Sequence, residues 1–482
     1  MRDRAPSRRD FLIAGAGGTL ALPALAQSTD LTGLTLKKAS ELLRSKGASP
    51  VDLTQACLKR IDRYNPAVNA YITIAREEAL ATARRLEAEI RRGQFRGPLH
   101  GIPIALKDNI DTAGIRTTGA SELFKDRVPT EDAEVTVRLK RAGAILLGKL
   151  NLHEFAYGGT SLVTYFGAVH NPWALDRMAG GSSGGPAAAI AADLCYASLG
   201  TDTAGSVRIP ASYCSMVGFK PTYGRVSLRG VIPLSWTLDH VGPMCKTVED
   251  AAIMLNVVAG YDQMDSTTVN VPVPDYTRAL TMSTSKLRLG VPRPLFFEAL
   301  DPDVAKAFEA AMLVIRKLTA SVEDTSLPAA ANAGQLWTPE AYAYHAKWIA
   351  ESPEKYQPST RAALLRGAEF KAEAYIRARN EVERQRREIT KVFSNLDLLV
   401  TPTMQNAAAL ISDPRGGGSG HNTSPFDVFG IPTISIPCGF TASGLPIGLQ
   451  ISGAPWNEMG VLALAHAYEQ ATEWHTRRPK IV

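Results

Sequence analysis

The sequence predicts an α/β fold in which helices cover both faces of a β-sheet. Short apolar runs, typical of buried strands, alternate along the chain with longer amphipathic stretches, typical of helices. No Ser/Gly-rich or Pro-rich linker interrupts residues 30–482, and no internal repeat is visible. With 45% apolar and 21% charged residues, the composition is that of a globular protein whose length allows a substantial core.

Helical periodicity and apolar runs locate the expected elements in chain order. Apolar residues recur at helical spacing in seven stretches: 35–47, 51–65, 77–93, 247–260, 301–320, 369–393 and 459–472. Seven short apolar runs are candidate buried strands: 102–106, 144–148, 196–201, 287–291, 396–402, 433–437 and 447–453. The Gly-rich stretch 413–425 is too short for a domain boundary, so we interpret it as a surface or active-site loop.

The N-terminal segment has the features of an export signal. Arg8-Arg9 precedes a modestly apolar stretch that ends in Ala24-Leu25-Ala26, a small-x-small cleavage signal. We therefore predict a twin-arginine signal peptide over 1–26, a mature domain over 27–482 and a periplasmic location. A frayed, mildly apolar N-terminus is the alternative. Because Gly and Pro break the apolar run, no stable membrane insertion is expected.

Charge and cysteine content exclude several classes of protein. The formal charge is +6 and no basic run is present, so the sequence gives no support for nucleic-acid binding. The five cysteines are widely spaced, odd in number and mostly set in apolar runs. This pattern is neither a disulfide framework nor a set of metal ligands, so buried unpaired thiols are expected.

Two short motifs resemble known functional loops without their context. The stretch 180–184 fits the G-x-S-x-G nucleophile elbow, but the residues before it are loop-like where the elbow needs an apolar strand. The stretch 143–150 nearly fits a phosphate-binding loop, but Leu150 stands where the metal-binding hydroxyl belongs. Its intervening residues suit a strand, so neither motif is adopted.

A serine-rich stretch raises the question of a catalytic base. Residues 180–210 hold Ser182, Ser183 and Ser206 but no histidine and no lysine, and a serine hydroxyl needs a base to become a nucleophile. Lys107 directly follows a predicted buried strand, where desolvation would lower its pKa and allow a neutral amine. The alternative is a surface lysine paired with Asp108 or Asp111. A histidine distant in sequence also remains open as the base.

Longer motifs in the same region resemble the amidase signature family. The match runs from the Gly-Gly-Ser-Ser-Gly-Gly loop at 180–185 through "GTDTAGSVRIP", and continues in "GIPIALKDNID", "GAILLGKLNLHEFAYG", "GFKPTYGRVS", "TLDHVGPMCKTVEDAA", "GIPTISIPCGF" and "GLPIGLQISG". The resemblance covers essentially all of residues 30–482. It implies a single large α/β domain with a mixed central β-sheet.

The resemblance also implies catalytic roles. Ser206 corresponds to the nucleophile, Lys107 to the base, and Ser182 to a relay that follows a cis peptide bond and bridges the lysine amine to the Ser206 hydroxyl. Convergent amides are needed for the oxyanion, and the tight run Thr203, Ala204, Gly205 and Ser206 before an expected helix near 207 supplies them.

Three further residues are predicted to support the loop that carries Ser206: Ser183, Asp202 and Arg208. The last two are expected to form an ion pair that holds the loop in shape, with separately solvated charges as the alternative. No metal and no cofactor is required by the implied reaction.

The implied reaction is hydrolysis of a carboxamide to a carboxylate and ammonia or an amine through an acyl-serine. The main alternative is an amidotransferase A subunit that takes ammonia from glutamine. That branch should carry an arginine where Val382 stands, flanked here by Arg379 and Arg384, and an Asn where Asp427 stands. Charged tRNA is cytoplasmic, so the export signal also favours the hydrolase. A non-catalytic amide-binding relative is the third possibility.

Walls for the substrate pocket are expected from 151–167, the helices of 336–375 and the loop 405–430. Five aromatic residues there could form an acyl pocket or pack in the core, and we expect at least half to be core: Phe155, Tyr157, Tyr165, Phe166 and Trp337. The expected partner is a small-molecule amide, and a homodimer is left open.

Overall fold

A computed structural model describes residues 30–481 of the chain. The predicted signal peptide at 1–26 lies outside the described residues, as do the first residues of the predicted mature domain. No helix in the part that is described is long and apolar enough to cross a membrane.

Within residues 30–481 the chain forms an eleven-stranded mixed sheet and a separate two-stranded hairpin. The strand order in the large sheet is β1-β3-β2-β6-β8-β7-β12-β13-β11-β9-β10, and β4 and β5 form the hairpin. The bounds are β1 Tyr71–Ile74, β2 Pro103–Lys107, β3 Ile145–Leu150, β4 His170–Asn171, β5 Ala174–Met178, β6 Ala197–Asp202, β7 Val217–Lys220, β8 His240–Cys245, β9 Arg288–Pro292, β10 Ser321–Thr325, β11 Leu398–Pro402, β12 Thr433–Phe440 and β13 Pro446–Gly453.

Helices and short 3₁₀ turns join these strands. The helices are α1 Leu36–Arg44, α2 Pro50–Val68, α3 Arg76–Arg91, α4 Glu134–Arg141, α5 Gly184–Ala191, α6 Arg208–Cys214, α7 Val248–Val258, α8 Arg293–Phe296, α9 Pro302–Leu318, α10 Gly334–Glu351, α11 Pro358–Gly367, α12 Ala372–Glu388, α13 Ser424–Val428 and α14 Glu458–Gln470. The 3₁₀ turns are Leu31–Gly33, Glu122–Phe124, Glu154–Ala156, Tyr276–Thr281, Pro353–Lys355, Ile389–Ser394 and Trp474–Thr476.

The central strands are buried along their whole length. Every residue of β2, β3, β6, β8 and β13 is buried, so helices and loops cover both faces of the sheet there. β2 runs parallel to β3 and β6, whereas β6 and β8 are antiparallel. The predicted α/β domain with a mixed, covered sheet is therefore confirmed, and so are the seven predicted helices and seven predicted strands.

Several elements have no clear counterpart in the periodicity analysis. β1 and β10 lie at the two edges of the sheet and carry partly exposed residues, while β7 has only four residues, so none shows a long apolar run. The residues before Gly180, expected to be a loop, instead form the β4–β5 hairpin. That hairpin lies outside the large sheet, so it is not the central strand that a nucleophile elbow requires.

The core follows the predicted apolar runs. One large buried cluster spans the sheet and the packed faces of α2, α3, α7, α9 and α14. All five cysteines lie in the described region, and each is buried and unpaired, as the sequence predicts. The stretch 143–150, rejected as a phosphate loop, contains the fully buried strand β3.

Candidate active site

Two neighbouring parallel strands end at the same place in the molecule. Lys107 is the last residue of β2, and Asp202 is the last residue of β6. Because parallel strands present their carboxyl ends at one edge, the loops that follow them meet there. The side chains of Lys107 and Asp202 are both fully buried at this edge.

Lys107 is held by hydroxyl and carbonyl groups rather than by a carboxylate. Its Nζ lies 2.7 Å from Ser182 Oγ, 2.7 Å from Thr201 Oγ1 and 3.3 Å from the Thr201 carbonyl oxygen. Asn109 Nδ2 also donates to Thr201 Oγ1, at 3.1 Å. Burial lowers the pKa of Lys107 to about 7, although the negative charges of Asp239 and Asp202 oppose that change.

The alternative of a surface lysine paired with an aspartate is wrong. Lys107 has no exposed surface. Asp108 instead accepts hydrogen bonds from Thr118, and Asp111 forms a bidentate pair with Arg127 at 2.7 Å. A buried amine with a pKa of about 7 is half neutral at neutral pH, so it has the protonation state that a base requires.

The serines approach Lys107 from the loop before α5. The Gly181–Ser182 peptide bond is cis, as the family resemblance implies. Ser183 donates its amide to the Ser206 carbonyl at 3.1 Å and its hydroxyl to the Thr201 carbonyl at 3.2 Å. Ser182 therefore contacts the lysine, and Ser183 connects its own loop to the Ser206 loop and to β6.

Ser182 was predicted to bridge Lys107 and Ser206, and only its contact with Lys107 is present. In the described part of the chain no hydrogen bond joins the hydroxyls of Ser182 and Ser206. The Ser206 side chain instead lies on the wall of a cavity of about 350 Å³.

The amides predicted to form an oxyanion site are not equivalent. The Gly205 amide donates to Asp202 Oδ1 at 2.6 Å, so its assignment to the oxyanion site is wrong for this conformation. The amides of Thr203, Ala204 and Ser206 have no acceptor within residues 30–481. Gly205 also has φ of +121°, and a Cβ there would lie 2.1 Å from Thr423 Oγ1, so only glycine fits.

Asp202 and Arg208 form the expected ion pair. Arg208 Nε lies 3.0 Å from Asp202 Oδ2 and Nη2 lies 3.0 Å from Oδ1, and both side chains are fully buried. Although burial opposes it, the Arg208 charge holds the pKa of Asp202 below its usual range. Arg208 also donates to Asp427 Oδ2 at 2.6 Å and to Gln450 Oε1 at 2.9 Å. The alternative of two solvated charges is wrong.

The cavity beside Ser206 is bounded by small, apolar and aromatic residues. Within the described chain its lining carries no charged side chain, and it consists of Ala156, Tyr157, Gly158, Gly159, Thr203, Ala204, Ser206, Ile209, Leu234, Trp337, Gly418, Gly420 and Ser424. The stretch 413–425 thus contributes to this site, as one of its two interpretations predicts. A larger cleft of about 470 Å³, between 33–41 and 466–478, contains none of the predicted site residues.

Only two of the five candidate aromatic residues line the cavity. These are Tyr157 and Trp337. Phe155 is buried against Phe124, His345 and Tyr356, so it belongs to the core. Phe166 is half-buried beside that cluster, whereas Tyr165 is 41% exposed. Of the five residues only Phe155 is fully buried, so the expectation that at least half belong to the core is wrong.

The histidines give no competing base in the described region. None of them lines the cavity or bonds to Ser206. His153 is buried near Lys107. Burial and the Lys107 charge together lower the pKa of its imidazole to about 4. Its Nδ1 lies 3.2 Å from Thr160 Oγ1 rather than from a serine of the site.

Sequence reasoning missed two polar groups that support the loop. Thr423 Oγ1 donates to the Ala204 carbonyl at 2.5 Å, and Asp239 Oδ1 accepts from Thr203 Oγ1 at 2.5 Å. Both partners are distant in the chain, so no local spacing indicates them. The one available signal for Asp239 was its place in "TLDHVGPMC", which the family resemblance includes.

The covered mixed sheet and the buried lysine–serine pair are features that the resemblance to the amidase signature family implies. The chain belongs to the amidase family, whose profile matches residues 52–462. It is 40% identical over 484 residues to the A subunit of the glutamyl-tRNA(Gln) amidotransferase of Moorella thermoacetica, with 94% of this chain and 99% of that protein covered.

Solved structures agree on the fold. The native peptide amidase of Stenotrophomonas maltophilia is 31% identical, with a TM-score of 0.82 over 93% of this chain and 98% of that chain. An inhibitor-bound chain from a vestigial protein complex, described in connection with the origins of an s-triazine catabolic enzyme, is 30% identical. Its TM-score is 0.87, over 91% of this chain and 98% of that chain.

Proposed function

We propose that this protein is an amidohydrolase that cleaves the C–N bond of a small carboxamide through an acyl-serine at Ser206. The observation that carries the proposal is the buried Lys107 amine 2.7 Å from Ser182 Oγ, beside a cavity that Ser206 lines. The products are a carboxylate and ammonia or an amine.

The proton path begins at Lys107. The neutral amine accepts the Ser182 proton while Ser182 accepts the proton of Ser206, once substrate brings the two hydroxyls into contact. Ser206 Oγ then forms a bond to the amide carbon, and the proton returns by the same path to the leaving nitrogen as the C–N bond breaks. In the second half, water forms a bond to the acyl carbon while Lys107 accepts its proton through Ser182. The bond between the acyl carbon and Ser206 Oγ then breaks, Oγ regains a proton by the same path, and the carboxylate product leaves.

In this mechanism the negatively charged oxygen of the tetrahedral intermediate binds to the loop that follows β6. The amides of Thr203, Ala204 and Ser206 are the available donors, and Asp202 holds that loop through Gly205 and Arg208. Loss of one such donor typically costs about 3–4 kcal/mol of transition-state stabilisation. The loop therefore has to be held firmly, and its two buried ion-pair partners supply that support.

The cavity favours an amide whose acyl part is uncharged. No lysine or arginine of the described chain lines it, so the carboxylate of free glutamine would find no cation there. The flanking arginines of α12 are elsewhere: Arg379 pairs with Glu383 and Arg384 pairs with Glu381 on an exposed face. Val382 is buried in the core.

A second candidate is the A subunit of a glutamine-dependent amidotransferase. Similarity along almost the whole chain favours it, because the Moorella thermoacetica relative carries that name. A protein of that kind is one part of a larger assembly, so its glutamine site could require a partner. The export signal proposed over 1–26 argues for the hydrolase, since charged tRNA is in the cytoplasm.

A substrate comparison separates the two candidates. Ammonia release from glutamine is measured beside release from aliphatic, aryl and peptide-C-terminal amides, with Ser206→Ala as the control. The hydrolase proposal expects higher kcat/KM for the uncharged amides, and Trp337→Ala should change their relative order. Turnover confined to glutamine would support the amidotransferase, while ligand binding that survives in Ser206→Ala without any wild-type turnover would indicate a non-catalytic amide-binding protein.

The acyl-serine itself has a direct test. Wild-type protein is treated with a fluorophosphonate and digested, and the adduct is located by mass spectrometry. The proposal requires the adduct on the peptide that contains Ser206. An adduct on Ser182 would instead support the nucleophile-elbow interpretation of residues 180–184.

A further inference from the structure

One buried carboxylate connects the oxyanion loop to a second segment that lines the cavity. Asp239 is 4% exposed and immediately precedes β8. Its Oδ1 accepts a hydrogen bond from Thr203 Oγ1 at 2.5 Å, and its Oδ2 accepts from the amides of Leu234 at 2.9 Å and Ser235 at 3.1 Å. Thr203 and Leu234 both line the cavity, so a single side chain sets the distance between them.

The same segment is fixed from the other side by α10. Glu340, 3% exposed, accepts hydrogen bonds from the hydroxyls of Ser235 and Thr237 and from the Thr237 amide at 3.2 Å. Trp337, one turn earlier on α10, lines the cavity. The segment 234–239 is therefore held between Thr203 and α10, with Asp239 as its contact to the oxyanion loop.

Charge adds a second connection, to Lys107. Asp239 and Asp202 are the two carboxylates that oppose the effect of burial on the Lys107 pKa, and the nearby imidazole of His153 is kept neutral. Burial and the Glu340 charge raise the pKa of Asp239 to about 6, while bonds from Thr203 and the two loop amides oppose that rise. Tyr223 also lies near Asp239, and burial raises the pKa of its hydroxyl to about 12. Arg386 donates to the Thr237 carbonyl at 2.8 Å, and the Tyr375 hydroxyl donates to Glu340 at 2.7 Å.

We propose that Asp239 is a positioning residue for amide hydrolysis: through its hydrogen bond with Thr203 it fixes the oxyanion loop. This inference rests on the proposed function. A loop displaced by a fraction of an ångström moves an oxyanion donor away from the developing charge, which lowers kcat without weakening substrate binding to the same extent.

The test compares Asp239→Asn, Thr203→Val, their combination and Thr203→Ser. The matched control is Asp250→Asn, because Asp250 is also fully buried and accepts two backbone amides, of Leu36 and Lys37, at 3.1 and 3.0 Å far from the site. Measured quantities are kcat and KM for an uncharged amide, the pH midpoint of kcat/KM, and the rate of fluorophosphonate labelling at Ser206.

Both Asp239→Asn and Thr203→Val should lower kcat and the labelling rate about tenfold or more, with KM within about threefold. The kcat of the double variant should be no lower than that of the poorer single variant, because each single substitution removes the same hydrogen bond between Thr203 and Asp239. Thr203→Ser should regain most of the kcat lost in Thr203→Val. Asp239→Asn should also move the pH midpoint below that of the wild type, because the lysine loses a nearby negative charge.

Equal kcat, labelling rate and pH midpoint in Asp239→Asn and Asp250→Asn would overturn the positioning role, as would additive losses in the double variant. If Asp239→Asn does not fold, an unchanged kcat in Thr203→Val overturns it equally. A wild-type protein with neither amide turnover nor labelling would overturn the proposed function and this inference with it. Wild-type labelling with unaffected variants would overturn the inference alone.

Discussion

Lys107→Met tests the physical reason for the proposed base. In the wild type, burial lowers the pKa of Lys107 from 10.5 to about 7. At about 1.4 kcal/mol per pH unit, this corresponds to roughly 5 kcal/mol of lost folding free energy at any pH at which the lysine is charged in both the folded and the unfolded state. The loss is complete below pH 7 and fades as pH approaches 10.5, because only the unfolded chain binds the extra proton in that interval. Wild-type stability should therefore rise with pH across it.

Methionine fills much of the same volume without a charge, but it leaves two hydroxyls, of Ser182 and Thr201, without their amine partner. That loss should cost about 1–3 kcal/mol. The variant should thus be more stable than the wild type by about 2–4 kcal/mol at pH 7. The order should reverse between about pH 8 and pH 10, where the wild-type loss has fallen to the 1–3 kcal/mol that the variant gives up.

Thermal unfolding of both proteins at pH 7 and at pH 10 measures the effect, at about 1 °C per kcal/mol for a chain of this size. Lys140→Met is the control: Lys140 pairs with Asp132 at 2.7 Å and is 41% exposed, so its removal should show no such reversal. A Lys107→Met variant that is less stable than the wild type at both pH values would refute the reasoning, because the buried amine would then not be destabilising. The variant should also have no amide turnover.

Four further predictions concern the base, the loop and the signal. The kcat/KM for an amide should rise with pH through about 7 and then level off, following the neutral form of Lys107. Lys107→Arg should lack turnover because guanidinium stays protonated, and activity within about tenfold of wild type, or about 1.4 kcal/mol in the barrier, would contradict the assignment. Arg208→Met leaves the buried Asp202 and Asp427 without their cation and should lower the free energy of unfolding by about 3–5 kcal/mol, so an unchanged thermal midpoint would show that the pair is not needed. Replacing Arg8 and Arg9 by lysine should leave an uncleaved precursor in the cytoplasm, and cell fractionation that still finds mature protein in the periplasm would exclude the twin-arginine route.

Local pattern alone determined much of the architecture. Strands that are buried on both faces are continuous apolar runs, and surface helices repeat their apolar residues every three to four positions, so β2, β6 and α9 were visible before any contact was known. The position of Lys107 directly after such a run left two interpretations open, a desolvated amine or a surface lysine, and the family motif favoured the first. The long serine and glycine motif indicated the family and, with it, Ser182 and Ser206.

Tertiary structure decided the contacts that turn these residues into a site. Lys107 meets Ser182 across 75 residues, Arg208 meets Asp427 across 219, and Thr203 meets Asp239 across 36. It also decided that the Gly205 amide bonds to Asp202 and that Trp337 lines the cavity while Phe155 lies in the core. Periodicity reports which face of an element is buried, but it carries no information about which element covers that face. Those partners depend on strand order and loop path, and only the folded chain specifies them.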